Sequence, residues 1–155
     1  GACMASHNAY LQSLGLETLV LRADTACSNT QKIAEFLEGQ GNVKSVNHPG
    51  LKSSPYFKTA KKQFKEKPGA VLTFDLGSKQ ECFKFINGLK LIRRATNLHD
   101  NRTLALHPAS TIFCEYSSEL KKDMGVRETL IRLSVGIEDI GDLIADIKQG
   151  LREIA

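Results

Sequence analysis

The chain has 155 residues, 41% hydrophobic and 25% charged, with a net charge of +4, which suits one domain with one buried core. No apolar run approaches the roughly 18 residues of a membrane span, and the first residues lack the basic start and apolar centre of a secretory signal, so a soluble cytoplasmic protein is expected. The basic run Lys58, Lys61, Lys62, Lys65 and Lys67 has no aromatic platform beside it and reads as a solvated helix face, with no nucleic-acid partner. Cys3, Cys27, Cys82 and Cys114 are far apart, with no CxxC pair and no Cys/His cluster at metal-ligand spacing, so free thiols and no metal site are expected.

Residues 6–38 contain no proline, and Tyr10, Leu11, Leu14, Leu21, Ile33 and Leu37 recur at helical spacing. The pattern predicts a single long helix stopped by Gly39 and Gly41. Its first half, NAYLQSLGLETLVLR, is more apolar than one small core can cover, so something else is expected to pack on it. NVKSVNHPGLKSSP reads as a short strand and a loop punctuated by Pro49, Gly50 and Pro55. Residues 56–64 read as a short basic helix ended near Pro68 and Gly69.

AVLTFDL alternates as a strand, with Leu72, Phe74 and Leu76 facing one way and Val71, Thr73 and Asp75 the other. Ser78 and Glu81 form a capping box ahead of the helical stripe Cys82, Phe85, Ile86 and Leu89. Residues 91–96 and 103–107 read as strands flanking the polar loop NLHDN, and 117–124 as another short helix. Residues 130–135, LIRLSV, form a strand of apolar and β-branched residues. In the closing IEDIGDLIADIKQGLREIA, Ile140, Leu143, Ile144, Ile147, Leu151 and Ile154 make one helical stripe. Glu138, Asp139 and Asp142 lie at its start and Lys148 and Arg152 towards its end, as the helix dipole favours. One long helix followed by alternating strands and helices predicts an α/β sandwich of the α+β type, with helices covering one sheet face.

Arg132 stands out within its strand. It shares a face with Leu130 and Ser134, opposite the apolar Ile131, Leu133 and Val135. Two readings fit: an arginine paired with an internal carboxylate, or a planar donor held on a rigid element to receive a carboxylate ligand. Spacing does not choose between them.

LIRLSVGIEDIGDLIADI resembles the C-terminal signature of the Cys/Met-metabolism family of pyridoxal-phosphate enzymes, and NAYLQSLGLETLVLR, NVKSVNHPGLKSSP, GAVLTFDL and RTLALHPAST agree in order. NLHDNRTLALHPAST is most similar to the O-acetylhomoserine sulfhydrylase branch. The resemblance covers essentially the whole chain. It implies the small C-terminal domain of a fold-type I pyridoxal-phosphate-dependent transferase, with a largely antiparallel sheet, helices on one side and a long N-terminal helix. Residues 1–41 would be the helix connecting from the large cofactor domain, and residues 42–155 the sandwich.

The same resemblance gives Arg132 the α-carboxylate of the amino-acid substrate and places Asn97 beside that carboxylate. The family's cofactor lysine, the carboxylate facing the ring nitrogen and the phosphate cradle have no counterpart here. Pyridoxal phosphate is therefore expected in the intact parent and not on this chain alone, which has no catalytic or cofactor-binding residue and is expected to be inactive by itself. The implied reaction eliminates the γ-acyloxy group of an O-acylhomoserine as a carboxylate and adds a sulfur nucleophile in its place, giving homocysteine or methionine. A cystathionine γ-synthase or a methionine or cystathionine γ-lyase is the family alternative, and a stand-alone anion- or nucleic-acid-binding module the alternative of another class. The implied partners are the parent's own large domain and further copies of itself.

The sequence departs from the family at His99, where glycine is usual, and at Ile112 and Phe113, which replace the threonine and histidine that commonly follow HPAST. His7, His48, His99 and His107 are assigned no reaction.

Overall fold

The computed structural model describes residues 3–154, so Ala155, at the end of the closing helical segment, lies outside it. The elements run α1 (Ser6–Glu17), α2 (Leu19–Glu38), β1 (Ser45–Asn47), α3 (Phe57–Phe64), β2 (Val71–Asp75), α4 (Lys79–Gly88), β3 (Arg93–Arg94), β4 (Leu104–Leu106), a 3-10 turn (Pro108–Ser110), α5 (Ser118–Asp123), β5 (Leu130–Ser134) and α6 (Ile140–Arg152). The strands form one sheet in the order β1-β2-β5-β4-β3, antiparallel throughout except for the β3–β4 pair.

Register explains the two faces. Leu72 pairs with Leu133 and Phe74 with Ile131, so four of the largest buried side chains lie on one face beneath α2, α4 and α6. Phe74 meets Phe85 of α4 edge to face at 5.4 Å, and α6 adds Leu143, Ile147 and Leu151 from its apolar stripe. The opposite sheet face carries Thr73, Arg132 and Leu106 in register.

The predicted single N-terminal helix is two helices. Thr18 leaves the helical conformation at φ −108°, ψ 5°, near Gly15, the residue type that costs a helix interior most after proline. Arg22 fastens the break, donating from Nη2 to the Gly15 carbonyl at 2.6 Å and from Nε to Thr18 Oγ1 at 3.3 Å. The two helices differ in burial. No residue of α1 is buried, with Tyr10 and Leu16 63% and 65% exposed, and the exposure continues into the first turn of α2 with Leu21 at 69%, whereas Ile33, Ala34 and Leu37 in the second half of α2 are wholly buried in the core.

Two further details depart from the sequence reading. The capping box is half reciprocal: Ser78 Oγ accepts from the Glu81 amide, but the Glu81 carboxylate accepts from Gly77 instead of Ser78. The strand expected over 91–96 shrinks to Arg93–Arg94, because the backbone of residues 90–92 is turned to Asp146. That buried carboxylate in the middle of α6 accepts from the amides of Lys90, Leu91 and Ile92 at 2.8, 3.1 and 2.9 Å. All four cysteines are free; Cys82 is buried, and loss of water pushes its thiol up to about 12. Among the described residues no helix is long and apolar enough to cross a membrane.

Asp75 supplies a pH-dependent contribution to stability. Burial alone would raise its carboxyl, but hydrogen bonds from Arg127, Ser45 and Thr129 outweigh that and hold it below the ordinary carboxylate range. A depressed folded-state value means that this stabilisation is complete above about pH 4, the ordinary carboxylate value, and is lost as pH falls through the lowered one. Denaturant midpoints measured from pH 7 down to pH 2 should therefore drop in acid, and Asp75→Asn should flatten that drop while lowering the midpoint at neutral pH.

Candidate functional site

β5 is the central strand, bonded to β2 on one side and β4 on the other, which gives Arg132 a rigid base. Ile131, Leu133 and Val135 are wholly buried against the helices, so Arg132 is committed to the other face, between Thr73 and Leu106. Its Nη2 donates to the carbonyls of Thr96 and Asn97 at 3.1 and 3.2 Å. Its Nε is shielded from water and has no hydrogen-bond partner.

Among the described residues no carboxylate forms an ion pair with this group. Among the described residues the acids in ion pairs are Glu66, Asp24, Glu128 and Asp75, with Lys61, Lys67, Lys79 and Arg127 as their partners. Burial pulls the Arg132 guanidinium below its ordinary value, and an arginine nevertheless stays charged at neutral pH. A cation partly removed from water, with one donor unpaired and two backbone carbonyls at one nitrogen, can receive a small planar anion through its free N–H groups.

The carbonyls that hold Nη2 belong to a tethered loop. Asn97 meets Arg132 through its backbone, while its side-chain Oδ1 accepts from the Leu98 amide at 2.9 Å. The structure thus brings the two sequence-predicted site residues together, Asn97 through its main chain. His99 has φ +55°, the left-handed region where glycine is easiest, which explains why glycine suits that position. Its amide donates to Ser134 Oγ at 2.9 Å.

The far end of the loop is anchored separately. The Asn101 carbonyl accepts from Ile137 at 3.0 Å, and Gly136 fits beneath it only without a side chain, since a Cβ there would sit 2.3 Å from that oxygen. Glu138 accepts from the Thr103 amide and hydroxyl at 2.6 and 2.8 Å. Asn29 of α2, buried, donates to the carbonyls of Gly136 and Glu138.

Sequence reasoning missed Ser134, Glu138, Thr103 and Asn29. In the sequence Glu138 registers only as a charge at a helix start. Ser134 had a weak signal, a small polar residue two positions from Arg132 on the same strand face.

Two of the histidines are satisfied elsewhere. His107 is buried, with Nδ1 at 2.8 Å from Ser110 Oγ and Nε2 at 2.8 Å from the Glu128 carbonyl. His48 lies in the Pro49–Gly50 turn beside the Gly69 carbonyl, and burial lowers its ring pKa despite that contact. Among the described residues no group of three or more His, Cys, Asp or Glu is placed to hold a metal.

A family model described as "Cys/Met metabolism PLP-dependent enzyme" matches residues 1–152. The chain is 42% identical to the L-methionine gamma-lyase of Pseudomonas putida, over 100% of this chain and 39% of that protein. It is 45% identical to O-acetyl-L-homoserine sulfhydrylase 1 of Thermus thermophilus, over 97% of this chain and 36% of that protein. Among solved structures, the O-acetylhomoserine sulfhydrylase of Wolinella succinogenes superposes with a TM-score of 0.85 at 46% identity, covering 97% of this chain and 40% of that one. A putative O-acetylhomoserine (thiol)-lyase of Campylobacter jejuni, which carries a pyridoxyl-lysine, gives 0.91 at 37% identity, covering 98% and 36%. The chain thus spans about two fifths of the length of these relatives.

Proposed function

Because the chain belongs to the Cys/Met-metabolism family of pyridoxal-phosphate-dependent enzymes, we propose that it is the C-terminal, substrate-carboxylate-binding portion of an O-acetylhomoserine sulfhydrylase-like enzyme. The observation that carries this reading is Arg132: a guanidinium on the central strand, with no carboxylate partner among the described residues and a water-shielded Nε lacking an acceptor. Arg132 holds the amino-acid carboxylate, and Asn97 lines the same place. The reaction replaces the γ-acyloxy group of an O-acylhomoserine, which leaves as the carboxylate, with sulfur, as the names of the sulfhydrylase relatives suggest.

A γ-lyase is the second reading, favoured by relatives of that name at comparable identity. The same scaffold serves both, and the choice between them lies largely in residues outside this chain. Assaying the full-length enzyme with O-acetyl-L-homoserine plus sulfide, against L-methionine alone, separates them.

The residues present do not make a cofactor pocket. Pyridoxal phosphate needs a lysine shielded from water, a carboxylate facing its ring nitrogen and a phosphate cradle, whereas the described lysines are exposed, Lys121 alone being half-buried. When bound to the whole enzyme the cofactor supplies the electron sink for the substrate's carbanion; this chain contributes the grip on the carboxylate. Titrating the 155-residue chain with pyridoxal phosphate should give no saturable one-to-one visible band assigned to a single lysine. Such a band would overturn the division of labour proposed here.

The large domain, or another copy of the enzyme, covers α1. Tyr10, Leu11 and Leu14 of α1 are 63%, 49% and 47% exposed, and Leu19 at the start of α2 is 46% exposed. Sedimentation of the isolated chain should show species larger than a monomer as concentration rises, and charged substitutions at Leu11 and Leu14 should suppress them.

A further inference from the structure

We propose that Ser134 is a positioning residue for the Arg132 site: its hydroxyl holds the His99 amide, and so fixes the Thr96 and Asn97 carbonyls that orient the guanidinium. The inference rests on reading Arg132 as the carboxylate-binding group. Ser134 is 1% exposed and lies two residues along β5 from Arg132, on the same face. The strand therefore grips one short segment twice, with Arg132 at the carbonyls of residues 96 and 97 and Ser134 at the amide of residue 99.

Other anchors do not duplicate this one. The contacts at Asn101 and Thr103 secure the far end of the loop, and the β3–β4 pairing ends with the Ala95 amide on Ala105 at 3.4 Å. Among the described residues, Ser134 is the only side chain from outside the segment that accepts from a backbone amide between residues 96 and 100. His99 also sits at a backbone angle that a side-chain-bearing residue adopts reluctantly. Without its acceptor the segment can relax towards ordinary angles and carry the two carbonyls off Nη2.

The test is 15N relaxation at the Arg132 Nε–H combined with an acetate titration of the 155-residue chain, with sodium chloride at matched ionic strength as control. The unsubstituted chain should show a rigid Nε whose resonance moves with acetate and not with chloride. In Ser134→Ala the order parameter should fall from the rigid range towards about 0.6, and acetate affinity should weaken about three- to tenfold, the loss of one hydrogen bond. Ser134→Thr, which keeps the hydroxyl, should restore both. A rigid Arg132 with unchanged acetate affinity in Ser134→Ala overturns the role of Ser134 and leaves the carboxylate reading standing. An Arg132 resonance indifferent to acetate in the unsubstituted chain overturns the carboxylate reading itself, and loosening of Nε in Ser134→Ala would then still support the loop contact.

Discussion

Arg132→Ala in the full-length enzyme should lower kcat/KM roughly thirty- to several-thousand-fold, because truncating one partner of a desolvated, charge-assisted pair costs about 2–5 kcal/mol and each ~1.4 kcal/mol is tenfold. The loss is in substrate binding and alignment, since the substituted enzyme still encloses a carboxylate but offers it no counter-charge. Arg132→Lys should recover only part of the activity, keeping the charge while losing the planar fork and the Nη2 bonds to Thr96 and Asn97. Cofactor absorbance should be unchanged in both variants. Thermal stability should hold or rise in Arg132→Ala, because the side chain removed is a partly buried cation without a counter-ion among the described residues. A variant that melts well below the parent while its folded fraction keeps normal kinetics would assign Arg132 a structural task instead.

Asp146→Ala should be severely damaging to the fold. One carboxylate satisfies three consecutive backbone amides, Lys90, Leu91 and Ile92, where the chain leaves α4 and turns into β3. Nearby on α6, Gln149 donates to the Gly88 carbonyl at 2.6 Å, so α6 secures both polarities of that turn. Leaving the amides unpaired beside the core should cost about 3–5 kcal/mol. For a chain of this size that lowers the melting temperature by roughly 6–20 °C. Asp146→Asn should fall between, because the retained carbonyl oxygen serves Leu91 and Ile92 while its NH2 group opposes the Lys90 amide. Calorimetry on the three proteins checks the order, and a melting temperature unchanged in Asp146→Ala would refute the assignment.

Much of the fold was legible because its signals are local and repeated. The alternation of Leu72, Phe74 and Leu76 gave β2 and its inward face, and the stripe from Ile140 to Leu151 gave α6. What escaped depends on contacts distant in sequence. Asp146 looked like one more polar residue on an amphipathic helix, since nothing nearby announces three amides more than fifty positions earlier. The break at Thr18 depends on Arg22 reaching back to the Gly15 carbonyl, which apolar periodicity does not register.

The site divided in the same way. Arg132 was conspicuous as a charge within an apolar strand, and alternation fixed the face it occupies. Its surroundings were not readable: the Thr96 and Asn97 carbonyls and the Ser134 tether are set by tertiary approach, and a backbone carbonyl leaves no mark in the sequence. The left-handed backbone at His99 was signalled only through the family habit of glycine there.

The strand order also governs when the molecule can take shape. β5 is the last strand made, yet it lies in the middle, and both β2 and β4 bond only to it on their inner edges. Before residues 130–134 emerge, β1–β2 and β3–β4 are two separate ribbons with unpaired inner edges, too small to persist alone and open to pairing with other chains. Closing the sheet therefore waits for nearly the whole sequence and draws on long-range contacts, the slow kind. The segment that completes the sheet also brings Arg132, Ser134 and the Gly136–Glu138 anchors, so a truncation before Leu130 removes the middle of the sheet and the Arg132 site together.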